Sequence, residues 1–139
     1  MRLFLGALAA LGLGALGWAV CGAGEGEKKT RVFELRVYTA APGKMKALHA
    51  RFRDHTNKLF KKHGMEIIGF WTPDKPEEAD KTLIYLLAFP SRQAAARSWQ
   101  AFRNDPQWKR VKEASEKDGT LVKKVESTYL DPTDYSPLK

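Results

Sequence analysis

Apolar and polar residues alternate with period two from Arg31 onward. Phe33, Leu35 and Val37 fall on one side and Glu34, Arg36 and Tyr38 on the other, which predicts a strand with one buried face. The spacing changes after Pro42-Gly43. From Lys44, the apolar Met45, Leu48, Phe52 and Leu59 recur at three, four and seven, as on one stripe of a helix. That helix is expected to stop at Gly64, a left-handed cap preceded by Lys61, Lys62 and His63, cations that suit the negative end of a helix dipole. Met65 to Thr72 reads as a second strand, Pro73-Asp74-Lys75-Pro76 as a polar loop, and Thr82 to Phe89 as a third strand. Ser91 caps the next helix, which turns Ala95, Trp99 and Phe102 inward. A further helical segment opens with Asp105 as cap and Pro106 at the first helical position, with Trp108, Val111 and Ala114 on one face. Gly119 ends it, and Thr120 to Leu130 is the last strand before a Pro-bearing tail.

This order is β-α-β-β-α-β with the second α split in two. It predicts an α+β, ferredoxin-like domain: a four-stranded antiparallel sheet with helices on one face. The uncovered face is expected to carry Glu34, Arg36, Tyr38, Tyr85 and Trp71, too much aromatic area to leave in water. Such a face meets a second copy of itself, and two facing sheets enclose a dimeric α/β barrel whose interior can hold a ligand. Glu34, Arg36 and Tyr38 would orient a polar group on a small, mostly apolar molecule, with Trp71, Tyr85 and His63 completing the candidate ligand-binding set. The plainer alternatives are that Arg36 pairs with Glu34 or with a partner subunit, and that His63 is a helix-end cation.

The N-terminal segment stands apart. Met1, Arg2 and an almost unbroken apolar stretch from Leu3 to Val20 have the form of a secretory signal, with small residues at Ala19, Cys21 and Ala23 offering two cleavage positions. Residues 1–23 are therefore expected to be a signal peptide, 24–30 a flexible spacer and 31–139 the domain. Export places the protein in the periplasm or outside the cell. Retention through residues 3–20, or lipidation of Cys21, is the alternative, although Trp18-Ala19-Val20 is a poor lipobox. Cys21 is the one cysteine in the chain, so a domain beginning at residue 31 has no internal disulfide and depends on packing.

The formal charge of +8 points to anionic partners. The first helix carries Lys44, Lys46, Arg51, Arg53, Lys58, Lys61 and Lys62 against Asp54. A solvated outer face is the plain reading of this strip, and adhesion to an anionic envelope surface is the sharper one. Export argues against nucleic acid.

Several motifs in order carry a family likeness: Phe33-Glu34-Leu35-Arg36-Val37-Tyr38, Pro42-Gly43-Lys44, His63-Gly64, Ile68-Gly69-Phe70-Trp71, Phe102 through Trp108, and Tyr129 through Pro137. In this order and spacing, residues 31–137 resemble a NIPSNAP domain. The resemblance implies a dimeric α/β-barrel fold and little about activity, since members are mostly without an assigned reaction and the mitochondrial ones are discussed as adaptor and signalling proteins. Related dimeric barrels include cofactor-free monooxygenases and haem-handling enzymes. A secretory-type signal departs from the organellar members.

Other chemistry is thinly supported. His49, His55 and His63 share one predicted helix without the three- or four-residue spacing that chelation needs, and His49 and His63 stand ~21 Å apart along it. No metal or cofactor is expected. Beyond residue 30 there is no cysteine, and the chain contains neither a Gly-x-Ser-x-Gly elbow nor a phosphate-cradling glycine loop. The leading expectation is a binding protein for a small apolar molecule. Its rivals are a cofactor-independent monooxygenase or isomerase, in which Tyr38, Arg36 and His63 polarise a phenol or quinone, and an interaction module for anionic surfaces.

Overall fold

The computed structural model describes residues 31–139; the expected signal and spacer, residues 1–23 and 24–30, lie outside the described residues. Four strands form one antiparallel sheet: β1 Val32–Ala40, β2 Glu66–Trp71, β3 Thr82–Phe89 and β4 Val122–Leu130, in the order β2-β3-β1-β4. This is the ferredoxin-like topology, with both βαβ halves closing on central β1 and β3.

The segment between β1 and β2 is helical from Met45 to Lys62, but it is not one regular helix. α1 (Met45–Arg51) passes into a π-helical stretch, Phe52–Thr56, and continues as α2 (Asn57–Lys62). The Thr56 hydroxyl donates to the Arg51 carbonyl at 3.2 Å inside the widened turn. The extra residue turns Phe60 inward together with Leu59, so the buried set is broader than the single stripe that period 3.6 predicts. Gly64 closes the segment at φ +73°, the left-handed cap expected there. The expected Pro73–Pro76 loop instead runs into a one-turn helix, α3 (Pro76–Ala79), with Pro76 at its start.

α4 (Arg92–Asn104) begins as expected, with Ser91 accepting from the Ala94 N–H, and it buries Ala95, Trp99 and Phe102. α5 (Pro106–Ser115) contributes no buried residue: Trp108 and Val111 are half-buried and Ala114 is exposed. α5 is held at both ends, at its start by Asp105 and at its end by Arg51, which donates to Ser115 at 3.3 Å and to Glu116 at 2.9 Å. Asp105 caps it through the Gln107 N–H at 2.7 Å, and the other carboxylate oxygen accepts from Lys62 at 2.7 Å and lies 2.7 Å from His63 Nε2. The end of α2 is thereby tied to the start of α5.

The two sheet faces are assigned the other way round from the sequence expectation. Cross-strand pairs share a face, and the register pairs Glu34 with Leu87, Arg36 with Tyr85 and Tyr38 with Leu83. Leu83, Tyr85 and Leu87 belong to the core beneath the helices. Glu34, Arg36, Tyr38 and Tyr85 therefore lie on the helix-covered face. The open face carries Phe33, Leu35, Val37, Ile84, Leu86 and Trp71, and the tail covers Phe33 with Pro132 and Leu138. Period two alone leaves open which side of β1 the helices cover, and Glu34 and Arg36 are tolerated beneath them because they neutralise each other inside the layer.

Lys62 first, then His63 and the Gln107 N–H, hold the Asp105 carboxyl well below the usual carboxylate range. A depressed carboxylate stabilises the fold fully above its unfolded value near 3.9, and that contribution is lost as pH falls through the folded value. Asn keeps the cap and removes the charge. The stability gap between wild type and Asp105→Asn is expected to be widest near neutrality and to close below about pH 4. Urea midpoints across that range check it, and a gap that does not change with pH contradicts it.

Candidate functional site

Glu34 is the most deeply buried charged residue on the sheet, 1% exposed. Stripping water from a carboxylate costs several kcal/mol unless donors replace it. Three do. The Trp99 indole N–H from α4 donates to Oε2 at 2.5 Å, while the Ser127 hydroxyl from β4 and Arg36 Nη1 donate to Oε1 at 2.6 and 2.8 Å. Register explains the convergence: Ser127 stands opposite Arg36 and Tyr129 opposite Glu34 on neighbouring β4.

Arg36 is held as much by rings as by charge. Its guanidinium lies 4.2 Å from the Trp99 ring centroid and 5.6 Å from that of Tyr38. Burial disfavours its charge, but the Tyr85 and Tyr38 phenols and the Glu34 carboxylate outweigh that, and its pKa lies above the ordinary value. Burial, with Tyr38 beside it, pushes the Tyr85 phenol well up. Tyr85 is thus a neutral hydroxyl, and both its oxygen and Arg36 Nε are buried without a hydrogen-bond partner. Near the start of α4, Arg92 covers the Tyr129 ring at 3.3 Å, and burial followed by Glu34 raises that phenol's pKa.

Beside this network a cleft of about 270 Å³ opens between β4 and α5. Its apolar walls are Tyr38, Phe60, Phe102, Trp108 and Val125, with the Phe102 and Trp108 rings 4.5 Å apart. Arg51, Lys112, Glu116 and Lys123 stand around it. Tyr38 links cleft and network, since its ring also meets Tyr85 at 5.2 Å. The cleft lies beside α5, which is fastened at its two ends and has no fully buried residue in between.

Of the six residues singled out from the sequence, the fold gathers four: Glu34, Arg36, Tyr38 and Tyr85. His63 is partnered by Asp105 at the α2–α5 junction, beside the Phe102 ring. Trp71 is half exposed on the open face, its indole lying over Gly69, where an added Cβ would stand only 2.7 Å from the ring. Sequence reasoning placed Trp99 and Trp108 in the core and did not connect Ser127, Tyr129 or Arg92 with Glu34. The available signal was an acid and a base two apart within an apolar strand, which demands buried partners elsewhere. The cleft cations Arg51, Lys112 and Lys123 had no signal beyond general basicity.

The family model NIPSNAP matches residues 33–137. Among solved structures, the chain is similar to a NIPSNAP family protein of unknown function from Agrobacterium tumefaciens, at 21% identity and TM-score 0.68, over 81% of this chain and 96% of that one. It is also similar to an uncharacterized NIPSNAP-like domain protein from Burkholderia xenovorans, at 16% identity and TM-score 0.67, over 78% and 90%. A more distant likeness is to SnoaB, a cofactor-independent oxygenase from Streptomyces nogalater, at 12% identity and TM-score 0.52, over 78% and 98%. At these identities the likeness speaks for the fold. No curated protein matches the chain.

Removing Glu34 strands a buried guanidinium and an indole N–H, so Glu34→Ala is expected to cost about 3–5 kcal/mol. Replacing Glu34 and Arg36 together by Leu and Met removes both charges and should recover most of that loss. Denaturant titration of the three variants checks it; a Glu34→Ala cost below about 1 kcal/mol, as at an exposed pair, contradicts it.

Proposed function

The chain belongs to the NIPSNAP family, and from that premise we propose that it is a homodimeric binding protein that takes a small, mostly apolar molecule into the cleft between β4 and α5. The cleft itself carries this reading. Its four rings, Tyr38, Phe60, Phe102 and Trp108, come from β1, α2, α4 and α5; Phe102 lies 5.0 Å from Phe60 and 4.5 Å from Trp108, and this aromatic group borders the open space. Aromatic walls with a few fixed polar groups are the usual lining of a ligand pocket, and about 270 Å³ is near the lower end of the size range. A one- or two-ring molecule suits it. The binding site expected between two sheets thus moves to the helix side, because Tyr38 faces that way.

The open face supports the dimer. Leu35, Val37, Ile84 and Leu86 are only half-buried and Trp71 is 50% exposed, an apolar surface of the kind that pairs across a twofold axis. Pairing would leave the clefts outermost, one per subunit. In the rival reading, a cofactor-independent oxygenase, Tyr38 and Arg36 stay near the cleft while His63 is engaged by Asp105. Turnover would then rest on two groups, and the absence of oxygen uptake with phenols would set it aside.

Native mass spectrometry of protein purified from its own source tests both halves of the proposal at once. The expected spectrum is two chains carrying a small molecule on each. Two chains with no added mass contradict the ligand, and a single chain at micromolar concentration contradicts the pairing.

A further inference from the structure

Charge at the cleft is unevenly placed. Glu116 is paired with Arg51 at 2.9 Å and with Lys112 at 2.6 Å. Burial works against its charge, but the two cations outweigh that and hold its pKa below the ordinary value. This trio keeps one positive charge uncompensated. Lys123 adds a second, on the cleft side of β4 and outside every ion pair among the described residues. Lys124, one residue on, also borders the cleft but is paired with Glu126 at 2.9 Å.

Arg51 is the unusual member. It is 5% exposed, it packs against the Trp108 ring at 5.3 Å, and Nη1 alone makes its hydrogen bonds, to Glu116 and Ser115. Its Nε has no partner, so the guanidinium has donor capacity left over. A guanidinium presents a planar fork that fits a carboxylate, and charge-assisted contacts gain strength where low-dielectric walls exclude water.

Resting on the ligand reading above, we infer that the molecule the cleft takes is an aryl carboxylate: a flat apolar body against Tyr38, Phe102 and Trp108, with its carboxylate toward Arg51 and Lys123. The rings accept any flat apolar body. The two uncompensated charges select an anion from among them, and the excess positive charge of the chain speeds its arrival.

The test titrates the protein with 2-naphthoate and with its neutral counterpart 2-naphthalenemethanol, by calorimetry at low and at high salt. The acid is expected to bind about tenfold or more tightly than the alcohol, the scale of one hydrogen bond to a charged group. Salt should narrow that advantage. Lys123→Ala, an exposed replacement that leaves the core alone, should weaken the acid several-fold and leave the alcohol unchanged. Arg51→Gln should do the same more strongly if it folds; Lys123→Ala carries the test if it does not. Equal binding of acid and alcohol overturns the anion preference while the apolar pocket stands. Binding of neither overturns both.

Discussion

The buried carboxylate of Glu34 constrains the rest of this molecule. A charge in that position is tolerable only while all its donors are in place, and they come from β1 itself, from edge strand β4 and from α4. One side chain therefore ties α4 to two strands. It decides which face of the sheet is covered, because Trp99 can reach Glu34 only if α4 lies on Glu34's side. It also turns Arg36, Tyr38 and Tyr85 under the helices, leaving Leu35, Val37, Ile84 and Leu86 outside.

From that arrangement the cleft follows. α4 is drawn onto the sheet through Ala95, Trp99 and Phe102, whereas α5 is fastened at its two ends, by Asp105 at its start and by Arg51 at Ser115 and Glu116, with no residue fully buried between. The gap is walled by rings that belong to the core on one side and to α5 on the other. The π-helical stretch contributes in the same place, since it brings Thr56 and Phe60 to the cleft and Arg51 beside Trp108. The apolar sheet face and the aromatic cleft lie on opposite sides of one layer, so the pairing and the binding proposed above would use separate surfaces.

Much of the architecture was legible in the sequence because it depends on local chemistry. The β3 bounds, the Ser91 cap, the Asp105-Pro106 helix start and the Gly64 stop are all set by residues within a turn of themselves. The face assignment was not legible, and the reason is symmetry. Period two separates Phe33, Leu35 and Val37 from Glu34, Arg36 and Tyr38, but it does not say which set is covered, and β3 is apolar on both sides. Charge is the usual tie-breaker, and here it misleads, because Glu34 finds its partners across 65 and 93 residues of chain. The π-helical widening at Phe52–Thr56 likewise lies beyond a 3.6-residue template, and the cations of the cleft are brought together only by tertiary packing.

Glu34 accepts from the Trp99 indole inside the sheet–helix layer, and hydrogen exchange at that indole N–H, followed by NMR and assigned with Trp99→Phe, reads this contact directly. The Trp99 proton is expected to exchange only on global unfolding, while the exposed Trp71 indole exchanges at once. A Trp99 indole exchanging as fast as that of Trp71 would contradict it, for then the carboxylate is not where the fold requires it to be.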